Sequence, residues 1–86
     1  MACTPELMQE FDVLLRFDLA NSLHGIKVHK TANIEVIAAT QRLHRKGLLT
    51  QADGGYLTGL GRDAAEHAQA LLTILSPVGS LEPEAN

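Results

Sequence analysis

Residues 42–68, RLHRKGLLTQADGGYLTGLGRDAAEHA, hold a helix end, a hairpin and a helix start in one run. Gly47 stops a helix whose last turn carries Arg42, Arg45 and Lys46, where the helix dipole favours cations. Leu48 to Gln51 and Tyr56 to Thr58 flank Ala52-Asp53-Gly54-Gly55. Glycines there permit positive φ, so the unit reads as a β-hairpin with its turn at those four residues. Thr58 then caps a helix over roughly Leu60 to Leu75, which ends before Ser76-Pro77 because a residue preceding proline avoids the helical region. Its apolar residues span a wider arc than one core-facing stripe needs, which implies two neighbours.

Upstream, Thr31 or Asn33 caps the helix that Gly47 ends. Before it, Ile26-Lys27-Val28-His29 alternates apolar and polar residues at period two, the pattern of a short half-buried strand. Thr4-Pro5 opens a first helix, since threonine can accept from an orphan amide and proline tolerates the first helical position. Leu7, Met8, Phe11, Leu14, Leu15 and Leu19 form its apolar stripe and carry it to about Leu19. Val13 and Phe17 fall outside that stripe and, four residues apart, form a second apolar patch. With Leu72 and Leu75 of the last helix, they are the candidate dimer interface. The domain thus covers 1–76, and the polar, proline-containing 77–86 is expected to be a flexible tail.

The fold class is α+β, with the order helix, short strand, helix, hairpin, helix. This resembles a winged-helix domain, and the local text carries the resemblance: Arg42-Leu43, Lys46-Gly47-Leu48, Leu57-Thr58 and Gly61 match a pattern familiar from winged-helix regulators. The whole chain up to the tail also resembles a small uncharacterised bacterial family whose members have been called DNA-binding proteins. The resemblance implies a transcriptional regulator contacting duplex DNA through its central helix. One departure stands out. The span between strand and hairpin has room for a single good helix, so the first helix of a helix-turn-helix is missing or reduced to a turn around Lys30 to Asn33.

The net charge of −3 conceals segregation: residues 1–23 sum to −3, 24–46 to +4 and 47–86 to −4. Screening over about 8 Å at physiological salt leaves such a basic island effective locally. Projected at 100° per residue, Val36, Thr40, Leu43 and Gly47 share a packing face, while Ala38, Gln41, Arg42 and Arg45 share the opposite one. Arginine suits guanine or phosphate and glutamine suits adenine. The expected nucleic-acid contacts are therefore Arg42 and Arg45, Gln41 as a base reader, and Lys27, Lys30 and Lys46 as phosphate clamps. The hairpin tip carries Asp53 and no cation, so it offers phosphate nothing. The alternative is a non-catalytic protein-interaction module or homodimerising scaffold, whose basic island could meet an acidic protein partner.

Composition narrows the rest. With 45% apolar against 20% charged residues, the 86-residue chain belongs with globular proteins, and at this length one core is marginal enough that a partner copy is a plausible supplement. A lone Cys3 excludes an intrachain disulfide framework, and no apolar run approaches a membrane span, so a cytoplasmic protein without membrane association is expected. His24, His29, His44 and His67 lack ligand-like spacing, and no nucleophile, paired carboxylate or phosphate-loop pattern appears. Neither catalytic residues nor a metal or cofactor are expected, and the chain reads as a non-enzyme.

Overall fold

The computed structural model describes residues 3–21 and 23–76; the expected tail over 77–86 lies outside the described residues. The elements are α1 (Pro5–Leu14), β1 (Ile26–Lys27), α2 (Ile34–Arg45), β2 (Leu49–Gln51), β3 (Gly54–Leu57) and α3 (Gly59–Leu75). The strands form one antiparallel sheet in the order β1-β3-β2, giving an α+β, winged-helix-like layout. Between β1 and α2 there is only a turn, closed by the Ala32 amide donating to the His29 carbonyl at 2.9 Å. The first helix of a helix-turn-helix is absent.

Local chemistry sets the helix ends. The Asn33 side chain accepts from the Glu35 amide at the start of α2, and Gly47 follows its C-cap at φ +85°. Thr58 does two jobs: its hydroxyl accepts from the Gly61 amide at 3.0 Å and donates to the Gly47 carbonyl at 2.6 Å. It thus caps α3 while fastening that helix to the exit of α2. Thr58→Ala is expected to cost about 1–2 kcal/mol, the range of a strong N-cap, read as a lower urea midpoint at unchanged slope.

Three expected features shift. α1 ends at Leu14, five residues before Leu19, because the chain turns there and is pinned elsewhere. The Asp18 carboxylate accepts from the Ala20 amide at 2.9 Å, Gln69 donates to the Phe17 carbonyl at 2.9 Å, and Arg62 donates to the Leu19 carbonyl at 2.7 Å. β1 stops at Lys27 rather than His29. The hairpin turn is Ala52-Asp53 alone; Gly54 and Gly55 lie inside β3, paired with Lys27 and Ile26. Both keep the positive φ expected of them, +125° and +69°, and they also permit close approach, since a Cβ on Gly54 would come within 2.6 Å of the Ile26 carbonyl oxygen.

The core gathers Val13, Leu14 and Phe17 with Ala39 and Leu43 of α2, Leu49 of β2, and Ala65 and Ala68 of α3. Val13 and Phe17, expected on a dimer interface, are 1% and 4% exposed. That part of the interface assignment is corrected: once α1 ends at Leu14, Phe17 is no longer on a helix surface but folded back under it.

Candidate functional site

α2 presents three faces. Ala39, Thr40 and Leu43 are buried, as the packing projection requires for the last two. Gln41 and Arg45 are exposed on the outer side. Arg42 and Lys46, one turn apart, occupy a flank that leans on α1, and that flank decides their chemistry.

Glu10 of α1 is buried at the α1–α2 interface, its side chain 7% exposed. Arg42 Nε donates to its Oε2 at 2.7 Å, and Lys46 Nζ donates to its Oε1. Another Arg42 nitrogen donates to the Glu6 carbonyl at 3.2 Å. Burial resists the charged form of Glu10, but the hydrogen bonds from Lys46 and Arg42 and their positive charges outweigh it and hold the carboxyl below its ordinary range. The carboxylate therefore stays ionised at neutral pH and engages both cations from within the fold.

The expected basic surface is corrected accordingly. Of its six residues, Arg42 is held between the helices, and Lys46, half-exposed, is turned to Glu10. Lys27 stands 3.9 Å from Asp53 on the surface. Lys30, Gln41 and Arg45 remain exposed, and among the described residues neither Lys30 nor Arg45 has an ion-pair partner. The outer stripe of α2 reads Ile34, Glu35, Ala38, Gln41 and Arg45, a single cation with one carboxylate. Beside it lies a shallow cleft lined by Val28, His29, Lys30, Ile37, Gln41 and Asp53.

Apolar exposure is concentrated elsewhere. Every residue from Ala70 to Ser76 at the end of α3 is exposed. Leu71, Leu72, Ile74 and Leu75 stand 47%, 45%, 76% and 72% in solvent. This overhang continues an open groove of about 360 Å³ between α1 and α3, with Leu7, Phe11 and Leu14 on one wall, Ala64, Ala68 and Leu71 on the other, Leu43 and Leu48 beneath, and Glu10, Lys46 and His67 also in its lining. Leu72 and Leu75 are thus placed on the surface. Sequence reasoning named those two but missed the groove, although the 64, 68, 71, 75 spacing on α3 signals such a seam.

Among the described residues, no three His, Cys, Asp or Glu side chains converge where a metal ion could sit. No helix among them is long and apolar enough to cross a membrane. No curated protein and no solved structure matches the chain. A family model does match, over residues 1–76, a span that includes every described residue. The chain belongs to the family of unknown function DUF5669.

Proposed function

We propose that this protein is a non-catalytic protein-interaction module whose working surface is the apolar face of α1 and α3. The observation that carries the reading is the overhang of α3, whose leucines stand in water at the mouth of a groove lined mainly by leucine, phenylalanine and alanine, alongside Glu10, Lys46 and His67. Monomeric proteins seldom expose contiguous apolar patches beyond a few hundred Å², and the largest such patch is often a functional surface. The anionic side of the ledger points the same way, since Glu10 already satisfies two of the five cations expected to meet phosphate. A cytoplasmic setting belongs to this proposal, supported by the single cysteine.

A second reading, duplex-DNA binding or regulation through α2, is supported by the shared exposure of Lys27, Lys30, Gln41 and Arg45 and by the winged-helix-like order of elements. Three cations give a log-log salt slope near −3, a weak association that the half-paired Lys27 lowers further. An acidic protein partner would meet the same three cations.

Two measurements separate the readings. In fluorescence anisotropy with mixed-sequence duplex at ~50 mM salt, where counterion release is most favourable, no binding is expected. Association that is lost in Lys30→Ala/Arg45→Ala would overturn the interaction reading in favour of DNA. In cells, a photo-crosslinking amino acid at position 75 is expected to give a protein adduct that Leu71→Glu abolishes. An adduct indifferent to Leu71→Glu, or none, counts against the α1–α3 face.

A further inference from the structure

We infer that the cleft beside α2 is a binding site for a small organic phosphate, a phosphomonoester carried on an apolar body. The inference goes beyond the interaction reading, since this cleft shares no residue with the groove between α1 and α3.

The cleft lies where three elements meet: the turn after β1, the middle of α2 and the tip of the hairpin. Backbone bonds fix its walls. The Val28 amide donates to the Asp53 carbonyl at 2.8 Å, tying the turn to the hairpin tip, and the Ala32 amide donates to the His29 carbonyl at 2.9 Å, closing the turn ahead of α2. Asn33 then caps that helix through the Glu35 amide. A site held this way loses little conformational freedom when a ligand enters.

Two adjoining hollows make up the site. The inner one, about 140 Å³, is lined by Val28, Ile37 and Ala52 with Gln41 beside them. The outer one, about 470 Å³, adds Lys27 and Thr31, and His29, Lys30 and Asp53 belong to both. Apolar surface therefore gathers at one end and cations at the other, with Lys30 where they join. A bare anion would leave the apolar end in water, and an uncharged apolar molecule would leave Lys30 unused. A ligand with an anionic head and an apolar body engages both ends.

The donors select phosphate among such heads. The side chains of His29, Lys30, Thr31 and Gln41 have no hydrogen-bond or ion-pair partner among the described residues. A ring N–H, an ammonium, a hydroxyl and an amide thus come from the turn and from α2. Donors on separate sides suit the three oxygens of a phosphate better than the coplanar pair of a carboxylate. One carboxylate opposes them. Asp53 stands 3.9 Å from Lys27, so two lysines against one aspartate leave the cleft net positive.

The test titrates the full, isotope-labelled chain with phenyl phosphate at ~50 mM salt, where screening is weak, and follows the amide resonances. Saturable shifts are expected at Val28, Lys30, Gln41 and Ala52, with a Kd of about 1 mM, the order reached by so small a ligand. Phenol and inorganic phosphate are each expected to bind at least ~10-fold more weakly. Lys30→Ala is expected to weaken phenyl phosphate about fivefold and Asp53→Asn to strengthen it about threefold, because the first removes an attraction and the second a repulsion. Both variants keep the fold, since Lys30 is exposed and asparagine retains the carbonyl that holds Val28. Equal affinity for phenyl phosphate and inorganic phosphate would reduce the cleft to a patch of cations and overturn the inference. So would weaker binding by Asp53→Asn, or no saturable shift up to ~20 mM ligand. Arg45, outside the lining, separates this ligand from duplex DNA. Arg45→Ala is expected to leave phenyl phosphate binding unchanged. If that variant weakens it and a duplex displaces it from the parent, the cations serve a nucleic-acid backbone and the inference falls. The crosslink at position 75 is read independently, so failure of either site leaves the other standing.

Discussion

Glu10→Gln is expected to lower the unfolding free energy by about 2–3 kcal/mol at neutral pH, the largest effect of any single polar change in this domain. The carboxylate is buried and the two cations on it differ: the Arg42 side chain is 23% exposed, whereas that of Lys46 is 49% exposed. Removing the negative charge leaves Arg42 partly desolvated without a counter-charge, the costly half of breaking a buried pair. Lys46 swings into water at little cost, so the effect falls below the 3–5 kcal/mol of a fully enclosed pair. Replacing Glu10 and Arg42 together by methionine is expected to recover much of the loss, because no charge is then left between the helices.

The pH dependence fixes the sign. The native carboxyl of Glu10 lies below its ordinary value of 4.5, so its contribution is complete above that value and is lost as pH falls through the depressed native one. Urea titrations should therefore show the parent and Glu10→Gln far apart at pH 7 and converging below pH 4.5, by at most about 1.4 kcal/mol per pH unit from this one group. A gap that stays constant into acid would mean that the ionised side chain is not what stabilises the interface. The same variant frees Arg42 and Lys46. If α2 has any latent affinity for polyanions, Glu10→Gln should raise it, and that gain measures how far the pairing suppresses phosphate binding.

This pairing also marks where the sequence stopped being legible. The ends of α2 and α3 could be read directly, because Asn33, Gly47 and Thr58 act on backbone groups within four residues of themselves. Glu10 and Arg42 are 32 positions apart, and nothing in the local pattern around either announces the other. The helical projection placed Arg42 outward by its backbone angle, yet a long side chain at the border of a face follows the nearest opposite charge. The end of α1 failed for a related reason. Leu15 and Leu19 continue the apolar period past Leu14, so periodicity alone extends the helix, while the groups that bend the chain away are Gln69 and Arg62 on α3. Gly54 and Gly55 likewise read as a turn until β1, nearly thirty residues upstream, pairs with them. Leu72 and Leu75, expected at an interface, are exposed on α3, an element whose local reading was right.

Gly61→Ala is expected to destabilise the domain by about 2–3 kcal/mol, against the usual trend for this substitution in a helix. In an open helix position, alanine is favoured over glycine by about 1 kcal/mol. At Gly61, the first turn of α3 lies directly on the carbonyl oxygen of Leu48, and an added Cβ would collide with that oxygen. Neither side can yield cheaply. Leu48 is held at both ends, its amide donating to the Leu43 carbonyl and its carbonyl accepting from the Thr58 amide, each at 3.0 Å. Gly61 is held by its own amide on the Thr58 hydroxyl. Relieving the clash must therefore lengthen the contacts that join α2, β2 and α3, so overpacking outweighs the gain in helix propensity. Gly59 supplies the control, since a Cβ there meets nothing within 4 Å. Gly59→Ala should be neutral or stabilising by a few tenths of a kcal/mol. Equal behaviour of the two variants in urea denaturation would show that Leu48 and α3 are not in fixed contact, and the groove whose floor Leu48 helps to form would lose its rigid geometry with them.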